Sequence, residues 1–251
     1  MRDVLKFFKQ PRNPGIRNIA VRLAFRSCFL FCALLSINTN ALAEVSIADQ
    51  DLIYNVSYAN KNVGKLEISI RNENNGYRLT SITKPTKLAG LVLKEHTSET
   101  IFVWRDNELA LQSAVEKLEG KKSYDRGFTF DFENNVIQLN EGKTSEFKEG
   151  DQFESVTFPL LLMHRDVNSV EDMSVSEVSP KRLRSYTYDK PIQETIEVPA
   201  GEFESMKITR FRSDRPEDTV IVWLNQSDNP IPLKIAISKG GKASTMVLSE
   251  F

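Results

Sequence analysis

The chain has 251 residues, 33 Lys and Arg against 34 Asp and Glu, two His, two Cys and 40% hydrophobic residues. Positive charge crowds into the start, where Arg2, Lys6, Lys9, Arg12, Arg17, Arg22 and Arg26 face one acid, Asp3. Without residues 1–43 the chain keeps 26 basic and 33 acidic residues, a net charge of −7 that argues against nucleic acid or an anionic lipid surface as partner.

Those first residues read as a secretory signal peptide. A basic stretch leads into an apolar run from Cys28 to Ile37 and ends on Ala41-Leu42-Ala43, an A-x-A cleavage pattern. The run is far shorter than the ~20 residues that span a bilayer, so a membrane anchor is not expected. Cleavage after Ala43 leaves one domain, Glu44 to Phe251, for the periplasm. Cys28 and Cys32 go with the leader, so the exported part holds neither a disulfide nor a thiolate metal site. Neither cysteine follows the small residues that a lipoprotein signal needs.

Beyond the leader, apolar residues alternate with polar ones. Tyr54, Val56 and Tyr58 form one such run, Leu66, Ile68 and Ile70 a second, and Phe128, Phe130 and Phe132 a third. Period-2 spacing puts each set on one face of a strand. Turn chemistry separates the runs, as at Asn60-Lys61-Asn62, Asn74-Asn75-Gly76, Glu133-Asn134-Asn135 and Glu141-Gly142. The expected strands are 51–59, 63–71, 77–84, 95–105, 109–118, 122–132, 136–140 and 144–149, then 173–179, 183–190, 192–198, 204–213, 218–225, 231–238 and 243–250. Short strands between such turns describe an antiparallel meander, a mainly β fold.

Two segments depart from that pattern. Ser155 to Met163 begins with a hydroxyl residue suited to a cap and has Pro159 early, so a buried helix is expected over 156–166. Leu88-Ala89-Gly90-Leu91-Val92-Leu93 reads as an apolar loop or a single helical turn. Ile101 to Trp104 and Val220 to Leu224 are apolar on both faces, which requires a local cover for the second face. The helix and the apolar loop are the covers available.

A family resemblance follows from motifs spread over nearly the whole exported part. Tyr54-x-Val56-x-Tyr58 precedes Val63-Gly64, and Tyr186-x-Tyr188 is followed by Glu194. Val198-Pro199-Ala200-Gly201-Glu202-Phe203 leads to Met206-Lys207-Ile208, then Trp223-Leu224 and Pro230-Ile231-Pro232-Leu233-Lys234-Ile235. On these residues the chain resembles the family catalogued as domain of unknown function 3108, found in exported bacterial proteins. The resemblance implies a curved antiparallel sheet, an incomplete barrel around one helix, similar in shape to the Lol lipoprotein carriers. It implies no agreed activity, and a shared fold supplies none.

Catalytic signatures are missing. His96 and His164 stand in no metal-binding spacing, and a zinc site would have to fill its remaining positions with carboxylates. They read instead as a strand residue and a helix C-terminal residue. His164-Arg165-Asp166 suggests a hydrolase triad, yet no G-x-S-x-G elbow exists and residues two apart on a helix do not face each other. Asp131 and Glu133 share a strand face but run into a turn, and Pro199-Ala200-Gly201 is turn chemistry. An enzyme is not expected, and no cofactor or metal is implied. A closed membrane barrel, suggested by the terminal Phe251, conflicts with charges on both strand faces at Lys181, Arg182 and Arg184.

What remains is surplus apolar surface on the helix and the loop. Leu88, Leu91 and Leu93 with Phe158, Leu161 and Leu162 are the candidate ligand-binding residues. The expected function is non-enzymatic binding, in the concave face, of an apolar envelope component (a lipid or lipoprotein segment) or of an envelope partner. The alternative is an assembly partner with a filled core that acts through a sheet edge or loop, and a hydrolase ranks third. The sequence sets no oligomeric state.

Overall fold

Alternation every second residue becomes strand after strand along the chain. The computed structural model describes residues 47–91, 94–119, 123–148, 151–155, 159–165, 167–171 and 174–251. The chain divides into two units, Met1–Glu44 and Val45–Phe251, and every described residue belongs to the second.

The first half of that unit contains β1 (Gln50–Tyr58), β2 (Lys61–Glu73), β3 (Gly76–Pro85), β4 (His96–Arg105), β5 (Glu108–Leu118), β6 (Tyr124–Asp131), β7 (Val136–Leu139) and β8 (Thr144–Glu146). After β9 (Phe153–Ser155) comes the helix α1 (Leu160–His164). The second half continues with β10 (Ser174–Ser179), β11 (Arg182–Tyr188), β12 (Ile192–Val198), β13 (Gly201–Arg212), β14 (Arg215–Asn225), β15 (Pro232–Lys239) and β16 (Lys242–Glu250). Every strand expected from the sequence is present.

All sixteen strands belong to one curved sheet that does not close into a barrel. Its order is β8-β7-β6-β5-β4-β3-β2-β1-β16-β15-β14-β13-β11-β10-β9, with β12 on β13 off this path. The two halves of the meander therefore join through β1 and β16. At the far ends, β8 and β9 do not pair, and aromatic side chains meet there instead. Phe153 of β9 lies 4.9 Å from the Phe130 ring of β6 and 5.5 Å from Phe147, just after β8.

One pair departs from the antiparallel meander: β9 and β10 run parallel, with Phe153 opposite Ser176 and Glu154 opposite Glu177. A hairpin cannot join parallel neighbours; a crossover of a dozen residues or so is needed. The chain between β9 and β10 is that crossover, and it carries α1 into the concave face.

The helix itself is shorter than the expected 156–166. It starts at Leu160, with Pro159 in the cap position at φ −82° and no side-chain cap, and it ends where Arg165 turns extended. Proline fixes its own φ near this value and disfavours helical geometry in the residue before it. The expected positions 156–158 and 166 lie outside the described residues. Leu160, Leu161, Leu162 and Met163 are all buried, and the His164 ring sits edge-on to Trp104 of β4 at 4.7 Å.

The inward face is predominantly apolar. Leu66, Ile68 and Ile70 of β2, Leu79 of β3, Phe102 of β4, Leu111 of β5 and Val220, Val222 and Leu224 of β14 form its core. Tyr54 Oη donates to the Pro232 carbonyl at 2.8 Å, tying β1 to β15. The cover over the outward face of Val220–Leu224 is neither the helix nor the apolar loop. Trp223 is covered by its cross-strand neighbours Lys207 and Lys234, whose Nζ atoms stand 5.7 and 4.7 Å from the ring. Long lysine stems lie along apolar surface while their charge stays wet, so two of them close this face.

Candidate functional site

Successive residues of a helix point about 100° apart. Leu161, Leu162 and Met163 consequently face three different spaces. Leu161 borders an open groove of about 470 Å³ that also touches Phe132, Phe147 and Phe153. Met163 borders an open groove of about 670 Å³ beside Met206, Leu224 and Gln226. Leu162, with Pro159, borders a cavity of about 170 Å³ against β13 to β16.

That last cavity has two chemically distinct walls. Val220, Val222, Ile235, Ile237 and Met246 form the apolar one. Glu177, Arg184, Tyr186, Arg210, Arg212 and Asp218 form the other, with Lys239 near the end of β15. The register explains the placement. On β13, Ile208, Arg210 and Arg212 share the inward face by alternation, and Arg210 stands opposite Val220. Across β11, Tyr188 lies opposite Arg210 and Tyr186 opposite Arg212. Arg184 lies opposite Glu177 of β10, which lies opposite Glu154 of β9. A row of charged residues therefore crosses one end of an otherwise apolar face.

The charges are paired. Arg210 is buried and contributes Nη1 to Glu154 Oε2 and Nη2 to Glu177 Oε2, the latter at 3.1 Å. Its guanidinium also lies 4.7 Å from the Tyr186 ring centre. Arg184 Nη1 reaches the other Glu177 oxygen at 3.0 Å. Arg212 Nη1 meets Asp218 at 3.0 Å and Nη2 meets Asp214 at 2.7 Å. Asp218 in turn accepts the Gly240 N–H at 3.0 Å, which is the main reason its carboxyl is held below the usual range. Burial pushes the Glu154 carboxyl up, with Glu177 adding repulsion and Arg210 opposing both. Burial also raises the Tyr188 phenol, whose Oη donates to Glu154 at 3.4 Å. Among the described residues, Nε of Arg184 and of Arg210 and Oε1 of Glu154 have no hydrogen-bond partner.

Of the candidates named from sequence, Leu161 and Leu162 are buried side by side on α1, bordering different spaces. Leu88 precedes and Leu91 ends a 3-10 turn, Ala89–Leu91; each is 81% exposed, and neither borders any of the three spaces. Leu93 and Phe158 lie outside the described residues. Asp131 caps its turn by accepting from the Asn134 backbone and side chain. Pro199 and Ala200 make the β12–β13 hairpin turn, with Gly201 at φ 138°. His96 is edge-on to Tyr124 at 6.2 Å, and burial lowers its pKa. Among the described residues no group of three or more His, Cys, Asp and Glu is placed to hold a metal ion.

The polar row is absent from the sequence-based candidates. Its signal is the period itself: Ile208-x-Arg210-x-Arg212 and Arg184-x-Tyr186-x-Tyr188 put guanidinium groups on the face of Ile208 and of two tyrosines.

The geometry is that of an open, barrel-like β protein with a short helix in its concavity. The chain belongs to the family described as Protein of unknown function (DUF3108), whose model matches residues 53–247. No curated protein matches its sequence. Among solved structures it is similar to a β-barrel-like protein of domain of unknown function DUF1849 from Brucella abortus. That match has 12% identity and a TM-score of 0.49, over 80% of this chain and 96% of that one. It is also similar to a "putative lipoprotein" from Parabacteroides distasonis, at 12% identity and a TM-score of 0.34, over 82% of this chain and 95% of that one.

Proposed function

We propose that this protein is a non-enzymatic component of the bacterial cell envelope that holds an apolar segment of a ligand in its concave face. The observation that carries this reading is the cavity of about 170 Å³ beside Leu162, walled by Val220, Val222, Ile235, Ile237 and Met246. A space of roughly 150 Å³ lined by aliphatic residues accepts a benzene ring, so this one takes a comparable number of carbon atoms. The leader pattern ending at Ala41-Leu42-Ala43 supports export to the periplasm, with Glu44 as the first residue of the mature chain.

Native mass spectrometry on protein recovered from the periplasm of its own host tests the proposal. A bound species that organic solvent strips off, together with displacement of a fluorescent fatty acid, is the expected result. Recovery of the bare protein alone, with no fatty acid displaced, would remove the support for an apolar ligand.

Leu88 and Leu91, each 81% exposed, favour a second reading in which the protein docks an envelope partner through this turn. Crosslinking from Leu91 to one recurrent protein, abolished by Leu88→Ser with Leu91→Ser, would favour it over a ligand in the cavity.

A further inference from the structure

Three neighbouring connections share one end of the sheet. Strand order there is β4-β3-β2-β1-β16-β15, so the β3–β4 connection, the β1–β2 turn and the β15–β16 turn stand side by side. The Thr86 N–H donates to the Val63 carbonyl and the Ala59 N–H to the Ala243 carbonyl, tying each to the next. With their flanking residues they carry Lys61, Lys87, Lys94, Lys239 and Lys242 against one acid, Glu95. All five lysines are exposed, and among the described residues none of them forms an ion pair.

The net charge of −7 beyond residue 43 is an average over a segregated surface. Asp51, Glu73 and Glu250 lie toward the opposite ends of β1, β2 and β16. β1 and β16 have nine residues each, about 30 Å of strand, whereas salt screens charge over about 8 Å. The flanking segments do not reverse the excess. Beyond the Arg212–Asp218 pair, the β13–β14 turn sets Asp214 and Glu217 against Arg215, and residues 119–122 set Glu119 against Lys121 and Lys122.

Leucines project from the same rim. Leu88 and Leu91 are the most exposed large apolar side chains among the described residues. The turn that presents them is hydrogen-bonded: the Ala89 N–H donates to Thr86 Oγ1 at 3.2 Å and the Gly90 N–H to the Thr86 carbonyl at 2.7 Å. Residues three apart in 3-10 geometry lie on one side of the turn. A tip of this size falls short of a stable protein interface, which buries about 1,200 Å² or more. Such interfaces are also depleted in lysine, and every cation of these three connections is a lysine. A fluid bilayer needs no matching shape. Leucine enters its acyl layer, lysine stems let the ammonium stay among the headgroups, and the two signals together hold where one does not. Near an anionic surface each lysine adds about fivefold in affinity.

We infer that this rim docks the protein on an anionic phospholipid bilayer, with Leu88 and Leu91 in the acyl layer and the five lysines over the headgroups. This goes beyond the proposed function and does not require the Leu162 cavity to hold a ligand. Lys239 also borders that cavity, so docking sets one part of its wall near the lipid.

Sedimentation of residues 44–251 with vesicles tests the docking without the basic, apolar leader, which would bind vesicles on its own. Phosphatidylcholine vesicles with about a third phosphatidylglycerol are expected to bind about tenfold or more tighter than phosphatidylcholine alone, and high salt should remove the difference. Leu88→Ser with Leu91→Ser should weaken that binding about tenfold or more. Lys87→Gln with Lys94→Gln should weaken it about twentyfold, and only on the anionic vesicles. These side chains are exposed, so neither pair should lower the melting temperature. Residues 44–251 contain no cysteine, so Leu91→Cys carries a single environment-sensitive fluorophore. Its emission should shift to the blue on anionic vesicles, while the same label at Asn74→Cys, in the β2–β3 turn at the opposite end, stays unchanged. A silent label at Leu91, or equal binding to both kinds of vesicle, would overturn the docking. So would a protein that binds no vesicle while its Leu91 crosslinks to one recurrent protein partner.

Discussion

Arg210 of β13 reaches past β11 to Glu177 of β10, 3.1 Å from Nη2, while its Nη1 meets Glu154 one strand further on. One guanidinium thus lies between two carboxylates that stand opposite each other on parallel strands. Arg210→Met should therefore cost about 3–5 kcal/mol at neutral pH, because buried Glu154 loses its ion pair and keeps only the Tyr188 hydroxyl, while Glu177 keeps only Arg184. Without Arg210 opposing burial, the Glu154 carboxyl rises further in the folded state, so the folded variant binds more protons than the unfolded one. The deficit is full at neutral pH and shrinks as the pH falls through that raised value. Urea midpoints of variant and parent that converge on acidification bear this out; a constant gap does not. Glu154→Gln, which removes the charge that burial disfavours, should lose less than Arg210→Met.

Trp223 is 7% exposed, lies between Lys207 and Lys234, and donates Nε1 to Glu194 of β12. Truncating a large buried aromatic costs about 3–5 kcal/mol. We expect Trp223→Ala to melt earlier and to accumulate poorly in cells, while Trp223→Phe recovers part of the loss. Trp223 does not border the Leu162 cavity, so apolar-ligand affinity of the folded fraction should not change. An alanine variant that melts like the parent would contradict this packing.

Gly64 on β2 has no space for a side chain. A Cβ there would overlap the Lys84 carbonyl oxygen and press on Pro85 Cα at 2.9 Å, both backbone atoms of β3. Gly64→Ala must separate two paired strands, at a cost of about 1–3 kcal/mol. Chemical denaturation should show that loss, with hydrogen exchange faster around Gly64 and Pro85 than on β14.

Burial lowers the His96 pKa from its ordinary value near 6.5, with Arg126 acting in the same direction and Glu116 opposing. The unfolded chain then takes up its proton first as the pH falls. Stability linked to His96 is complete above about pH 6.5 and declines as the pH drops toward the lower folded value. An NMR titration placing the His96 midpoint below 6.5, and a shallower acid decline in His96→Phe, are the expected results.

The strands were legible because a half-buried strand writes its period into the sequence, as Leu66, Ile68 and Ile70 do. The Pro199-Ala200 turn was legible because Gly201 supplies the φ of 138° that the hairpin needs. Strand β9 was not, since Phe153–Ser155 is too short to show a period, and its parallel pairing follows from the crossover rather than from local chemistry. Helix α1 is shorter than its apolar run because Pro159 sits in the cap position and Arg165 turns extended. The charged row was hidden for a different reason. Arg184 in isolation reads as a surface charge, and only the register that sets Glu177, Arg184, Tyr188 and Arg210 on neighbouring strands reveals an inward cluster. Leu88 to Leu91 is as apolar as α1 in sequence, and nothing local separates the exposed turn from the buried helix.

The most direct measurement is a crystal structure of residues 44–251 with a terminally brominated fatty acid, located by anomalous scattering. The acyl chain should pass Leu162 and Ile237 along the apolar wall of the cavity. Bromine at Leu88 and Leu91 alone, or a Leu162 cavity without ligand at saturating concentration, would contradict it.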